Sequence, residues 1–240
     1  MEELQTRIPR ATPTPANTAT PTADLTATAA VLQVTQAALT AKLDLQRSWP
    51  VILDEKFANA SRNWTTGINN NNLALEEISI ENNKYTWKFT TKKPMASFSF
   101  PTMPEQTDQY ISVDMQMISD TGNLEDQAGI TFRQSESDQT FYFFAVNPNG
   151  TYSLSMYDGS GWDILIPTSS TDLLKPRQVN HLGGTMSGNE ILLELNGSAV
   201  ASFEDSRLSA GVAGLGLHLP APGEDATVIF TNFTVRAPKQ

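Results

Sequence analysis

The chain has 240 residues, 39% of them hydrophobic, with a net charge of −10, two histidines and no cysteine. Without cysteine there are no disulfides, thiolate metal sites or cysteine nucleophiles, and two histidines cannot build a multi-histidine metal cage. The acidic excess falls in residues 50–240, with 12 basic and 22 acidic side chains against four and four before them, and a domain so charged repels polyphosphate and nucleic acid.

Residues 11–30 read ATPTPANTATPTADLTATAA. Thr, Ala and Pro dominate, and such a segment buries too little apolar surface to offset its ordering entropy. We read 1–48 as a tether, extended where the prolines lie. Leu25, Leu32 and Leu39 recur every seven residues, but their partner positions are Thr28, Thr35 and Lys42, which make no coiled-coil seam. Residues 25–46, with Asp24 as N-cap, read either as a stalk helix or as a frayed, Thr-weakened one. The opening MEELQTRIPR lacks the apolar core of a signal peptide, and no apolar run approaches the 18 residues of a membrane span.

From Trp49 the period is two. Tyr85, Trp87 and Phe89 alternate with Lys84, Thr86, Lys88 and Thr90, and Ile111, Val113, Met115 and Met117 with Tyr110, Ser112, Asp114 and Gln116. These are half-buried strands. Others are expected at 51–57, 73–80, 96–100, 128–134, 140–147, 151–157, 162–166, 178–186, 190–195, 199–204, 211–219 and 226–235. Glu81-Asn82-Asn83, Asn149-Gly150 and Asn196-Gly197 are hairpin turns, since Asn and Gly best tolerate positive φ. Short strands and turns at this spacing predict an all-β, two-sheet antiparallel sandwich over 49–237.

The strand TFYFFAVN at 140–147 is apolar on both faces, Tyr142, Phe144 and Val146 on one and Phe141, Phe143 and Ala145 on the other. It is central: one face belongs to the core, and the other is either covered by a loop or is the aromatic floor of a groove, on which sugar rings stack. Arg133 points opposite to Ile130 and Phe132, either to ion-pair with Glu136 or Asp138 or to meet a ligand beside the aromatics. Trp162 alternates with Ile164 and Ile166 and reads as a core anchor.

The order of these patterns carries a resemblance. LDEKFAN at 53–59 is followed by AGITFRQSESDQTFYFFAVNPNGTYSLSMYDGSGWDIL at 128–165, by NEILLELNGSAVASFEDSRLSAGVAGLGL at 189–217 and by ATVIFTNFTV at 226–235. Over residues 50–236 this resembles the concanavalin A-like lectin/glucanase superfamily, and more narrowly the bacterial LamG-like jelly rolls related to the 3-keto-disaccharide hydrolase domain. The resemblance implies a jelly roll whose concave sheet meets ligands. On it rests the expectation of a non-catalytic recognition module that binds carbohydrate or another extracellular ligand, with Arg133, Tyr142, Phe144 and Tyr152 as contacts. The alternatives are an enzyme of the glycoside hydrolase or lyase type, and a structural or protein-interaction sandwich whose groove is closed by residues 92–108. The Thr/Ala/Pro tract resembles the stalks of bacterial cell-surface proteins, so an extracellular or surface setting is expected, with membrane attachment only through an anchor outside this sequence. Relatives of this fold hold a structural calcium ion through acids of the first and last strands. Asp54, Glu55 and Asn232 are the matching positions, Asn232 being the poorer for lack of charge; no other cofactor is implied.

Against catalysis, the E-x-D-x-x-E string of glucanases on this fold is missing. Glu190 and Glu194 share a strand face about 13 Å apart, beyond either glycosidase geometry, and read as a solvated outer face. His181 and His218 read as surface or edge residues. Asn59, Asn63, Asn149, Asn196 and Asn232 each open an Asn-x-Ser/Thr sequon, two of them within the hairpin turns.

Overall fold

The computed structural model describes residues 25–60, 62–119, 123–135 and 139–239. The Thr/Ala/Pro tract, Asp24, Glu136 and Asp138 lie outside the described residues. A helix, α1 (Leu25–Arg47), precedes fifteen strands. These are β1 (Val51–Glu55), β2 (Gly67–Asn70), β3 (Ala74–Glu81), β4 (Lys84–Thr91), β5 (Met95–Ser99), β6 (Gln109–Ser119), β7 (Gln127–Gln134) and β8 (Thr140–Val146). There follow β9 (Thr151–Asp158), β10 (Trp162–Ser170), β11 (Asn180–Ser187), β12 (Glu190–Leu195), β13 (Ser198–Glu204), β14 (Val212–Leu219) and β15 (Asp225–Arg236). No helix among the described residues is long and apolar enough to cross a membrane.

The strands form a two-sheet antiparallel sandwich. A nine-stranded sheet runs β13-β12-β11-β6-β15-β4-β3-β2, with β1 also paired to β15, and a six-stranded sheet runs β10-β9-β8-β7-β14-β5. A bulge between Thr231 and Thr234 bends β15, so that its first half pairs with β4 and its last residues with β1.

Alternation decides which side chains fill the space between the sheets. Tyr85, Trp87 and Phe89 of β4 and Ile111, Val113, Met115 and Met117 of β6 are buried there, facing Ile130, Phe132, Tyr142, Phe144 and Leu154 of the other sheet. The turn residues behave as their chemistry requires: Asn82, Asn83 and Asn196 all have positive φ, as do Gly150 and Gly197. Each segment read as a strand from its alternation is one, with 162–166 prolonged to Ser170. β2, of sequence GINN and exposed throughout, has no alternation to betray it. Within 92–108, the segment named as a closure of the groove, the strand expected at 96–100 is β5, paired with β14.

Residues 36–240 form one compact unit. The last turns of α1 thus belong with the sandwich rather than with a free tether. Leu43 packs with Tyr110, Leu192 and Ala199 on the outer face of the nine-stranded sheet, with Leu39 and Trp49 beside them. Lys42 reaches Glu190 and Arg47 reaches Glu194.

Candidate functional site

β8 sits in the middle of the six-stranded sheet, and its two faces have different fates. Tyr142 and Phe144 point into the core with Tyr152 of β9, and all three are buried. Their polar ends are used internally: the Tyr142 hydroxyl donates to Asp205 Oδ1 at 2.7 Å, and that of Tyr152 to the Val200 carbonyl at 3.2 Å. Burial pushes the Tyr142 phenol up to about 12, with Asp205 adding to the rise, so it stays a neutral donor.

Arg133 is also internal, 2% exposed. Its guanidinium donates to the carbonyls of Thr107 at 2.6 and 3.0 Å, of Gly188 at 2.7 Å and of Leu208 at 2.7 Å. Burial lowers its pKa, opposed by Tyr142 and by Asp108 at 3.9 Å. It is a clamp on three segments of backbone, and Glu136 and Asp138, its expected ion-pair partners, lie outside the described residues. The expectation that Arg133, Tyr142, Phe144 and Tyr152 line an open groove is therefore corrected. Alternation identified the two faces of β8, but both are aromatic, and nothing in the sequence marks which one the second sheet covers.

The other face carries the site. Phe141 pairs with Tyr157 and Tyr157 with Trp162, so three aromatics form one cross-strand row over β8, β9 and β10. Phe141 and Tyr157 have ring centroids 5.6 Å apart, and Tyr157 and Trp162 5.2 Å. From β5, Phe98 comes to 4.4 Å of Phe141 and 5.6 Å of Phe143. The rings of Phe98 and Phe143 lie over Gly216 of β14, where a Cβ would come within 2.7 Å of both, so glycine lets the aromatic layer settle onto the sheet. Trp162 is not a core anchor but 40% exposed, with Ile164 beside it on β10 also exposed.

These rings border a cleft of about 540 Å³. Phe98, Phe100, Phe141, Tyr157 and Trp162 supply its apolar wall, and Gln134, Ser135 and Gln139 its amides and hydroxyl. Among the described residues that wall carries no carboxylate, amine, guanidinium or imidazole. His218 meets the Trp162 ring at 6.0 Å, and burial lowers its pKa against the pull of Asp126, so the imidazole is neutral at pH 7. The arrangement offers flat apolar faces edged by neutral hydrogen-bonding groups, a combination suited to sugar rings.

The remaining candidates lie apart. Asp54 and Glu55 are successive on β1 and point to opposite sides. Glu55 is buried and accepts from the Phe57 N–H at 2.6 Å and Trp64 Nε1 at 3.2 Å. Asp54 pairs with Lys56 at 2.9 Å, and Asn232 donates to Asp114 Oδ2 at 2.8 Å. Lys56 Nζ stands between two of the expected calcium positions, Asp54 Oδ1 at 2.9 Å and Asn232 Oδ1 at 3.5 Å, while the third, Glu55, is turned inward to its own partners. No group of three or more acidic or histidine side chains among the described residues is placed to hold a metal.

Glu190 and Glu194 are not the solvated pair expected. Glu194 is 1% exposed, held by Arg47 and by the Tyr110 hydroxyl at 3.0 Å, and α1 covers it. Its neighbour His181 bonds Asp114 Oδ1 through Nδ1 at 2.7 Å. A shallow cleft of about 460 Å³ lies there; Arg47 in its wall is paired with Glu194 and His181 with Asp114, and Arg236 donates to the Trp49 carbonyl at 3.0 Å.

No protein-family model matches the sequence, and no curated protein is similar to it. Solved structures are. A carbohydrate-binding module, CBM66, from Bacillus subtilis is 18% identical, with a TM-score of 0.55 over 73% of this chain and 96% of its own. A prokaryotic β-1,3-1,4-glucanase (lichenase) from a mouse hindgut metagenome is 11% identical, with a TM-score of 0.57 over 78% and 99%. A Bacillus subtilis protein of unknown function with a galectin-like fold is 10% identical, with a TM-score of 0.54 over 78% and 95%. At these identities the likeness is one of fold: the chain has the concanavalin A-like lectin/glucanase architecture.

Proposed function

We propose that the sandwich is a non-catalytic carbohydrate-binding module and that its site is the aromatic cleft on the outer face of the six-stranded sheet. The observation that carries this reading is the row Phe141–Tyr157–Trp162, ending in a tryptophan 40% exposed beside Gln134, Ser135 and Gln139. A flat indole left open on a sheet is costly unless something stacks on it, and neutral amides around it direct hydrogen bonds to hydroxyls without selecting for charge. The resemblance of the fold to a carbohydrate-binding module, a glucanase and a galectin-like protein supports the same ligand class. A surface or secreted setting, with the Thr/Ala/Pro tract as the stalk, goes with this reading.

The test is a screen of the full chain on a glycan array, followed by titration calorimetry on each sugar that binds. Trp162→Ala and Tyr157→Ala should each weaken binding about tenfold, worth about 1.4 kcal/mol, with unchanged melting temperatures. A folded protein that retains no glycan of any class would end the proposal.

A further inference from the structure

The outer-face rings do more than pave the sheet: they meet across it. β10 and β14 are separated by β9, β8 and β7, a span of about 19 Å in a flat sheet with strands 4.8 Å apart. Trp162 of β10 nevertheless lies 6.0 Å from His218 of β14, 6.2 Å from Phe98 of β5 and 6.0 Å from Phe143 of β8, between ring centroids. The sheet curls until its two margins are joined by a bridge of rings.

The cleft lies to one side of that bridge. Its wall includes Phe141, Tyr157, Gln134 and Ser135, at one end of their strands. Gly129, Ala145 and Ser153, which register with one another toward the other end of the same face, take no part in it. Away from the bridge the cleft is not stopped by rings. Phe100 and Gln134 also border an adjoining cleft of about 450 Å³, which runs past Thr102 and Met103 to Glu105 and Asn63. The two depressions share Phe100 and Gln134 as a wall, and Trp162 of the bridge borders the first of them.

We infer that the two depressions form one groove, closed at the Trp162–His218 end, and that it takes the end of a saccharide chain. The terminal sugars stack against Trp162 and Tyr157, and the rest of the chain leaves past Phe100 toward residues 102–105. Trp162 is then both platform and stopper: it stacks on the terminal ring and, with His218 and Phe98, blocks the path that an internal stretch of polymer would need. This inference rests on the carbohydrate-binding reading and adds the part of the chain that is recognised.

The experiment is titration calorimetry of the full chain with linear glucan, xylan, mannan and fructan fractions of increasing length. For whichever polymer binds, the stoichiometry should stay at a single protein per chain end as the chain lengthens. His218→Ala, which opens the bridge without removing a cleft wall, should let the number of proteins bound per chain begin to rise with length. A wild-type stoichiometry that grows with chain length overturns the inference while leaving the carbohydrate-binding reading intact. Failure of every polymer and every array glycan to bind overturns both.

Discussion

Arg47 Nε donates to Glu194 Oε2 at 3.3 Å, and a second guanidinium nitrogen holds the other oxygen, so the last turn of α1 is fastened to the nine-stranded sheet by a two-point ion pair. The carboxylate is buried while the guanidinium is partly open. Gly183 makes the room: a Cβ there would stand 2.6 Å from Glu194 Oε2. Burial works against the Arg47 charge, but Glu194 outweighs it and raises the pKa, so the guanidinium stays charged. Cutting it from one side leaves a buried anion without its partner. Arg47→Met is expected to cost about 2–3 kcal/mol, at the lower end for a buried pair because the arginine is partly solvated. The double variant Arg47→Met/Glu194→Leu should recover most of that loss. Urea unfolding followed by tryptophan fluorescence measures both, and equal losses in the single and double variants would contradict the account.

Arg133 makes a prediction of the opposite kind from the one its sequence context suggests. It satisfies three backbone carbonyls from separate segments. Arg133→Met removes their donor and leaves buried acceptors unpaired, at a cost of about 2–4 kcal/mol. Arg133→Lys recovers little, since one ammonium cannot reproduce the fork. Because the side chain lies inside, the intrinsic affinity of the remaining folded protein for a glycan should be unchanged. A large loss of affinity with the melting temperature kept would return Arg133 to the ligand site.

Much of the fold was legible because strands half covered by a second sheet must alternate. Tyr85-Trp87-Phe89 and Ile111-Val113-Met115-Met117 state their buried side outright. The site was legible only to a two-fold ambiguity. TFYFFAVN declares two apolar faces, but which one meets the opposite sheet depends on how β8 lies between β7 and β9, a long-range fact. Trp162 was hidden for a related reason. Its alternation with Ile164 and Ile166 is genuine, but β10 is an edge strand with register shifts after Ile164, so period two does not imply burial there. The pairing of Glu194 with Arg47 joins residues 147 apart and leaves no mark in local pattern.

The aromatic layer depends on a residue that touches no ligand. At Gly216 an added Cβ meets the rings of Phe98 and Phe143 at 2.7 Å. Gly216→Ala must lift both rings, costing about 1–3 kcal/mol as an overpacking change. Phe98 and its neighbour Trp162 shape the cleft, so glycan affinity should fall as well, although residue 216 is not in its wall. Calorimetry beside thermal unfolding checks the coupling; a stability loss with full affinity would show that the rings do not shape the site.

The last prediction concerns pH. Glu224 is buried beside Asp126, which is also buried, and accepts from the Ala221 N–H at 3.1 Å and from Asn123. Burial, opposed by the Ala221 hydrogen bond and aided by the Asp126 carboxyl, pushes the Glu224 carboxyl up to about 7. Unfolded, the group would titrate near its ordinary 4.5. Between those values the folded chain holds a proton that the unfolded chain has released, so stability falls as pH rises from about 4.5 through about 7 and then levels off. The contribution is fully present below the lower value and lost above the upper one. Glu224→Gln keeps a neutral group at every pH and removes this slope. Its melting temperature relative to wild type should therefore climb across the same window, with the largest gain near pH 8. Parallel melting curves for the two proteins from pH 4 to pH 8 would mean that Glu224 carries no such proton.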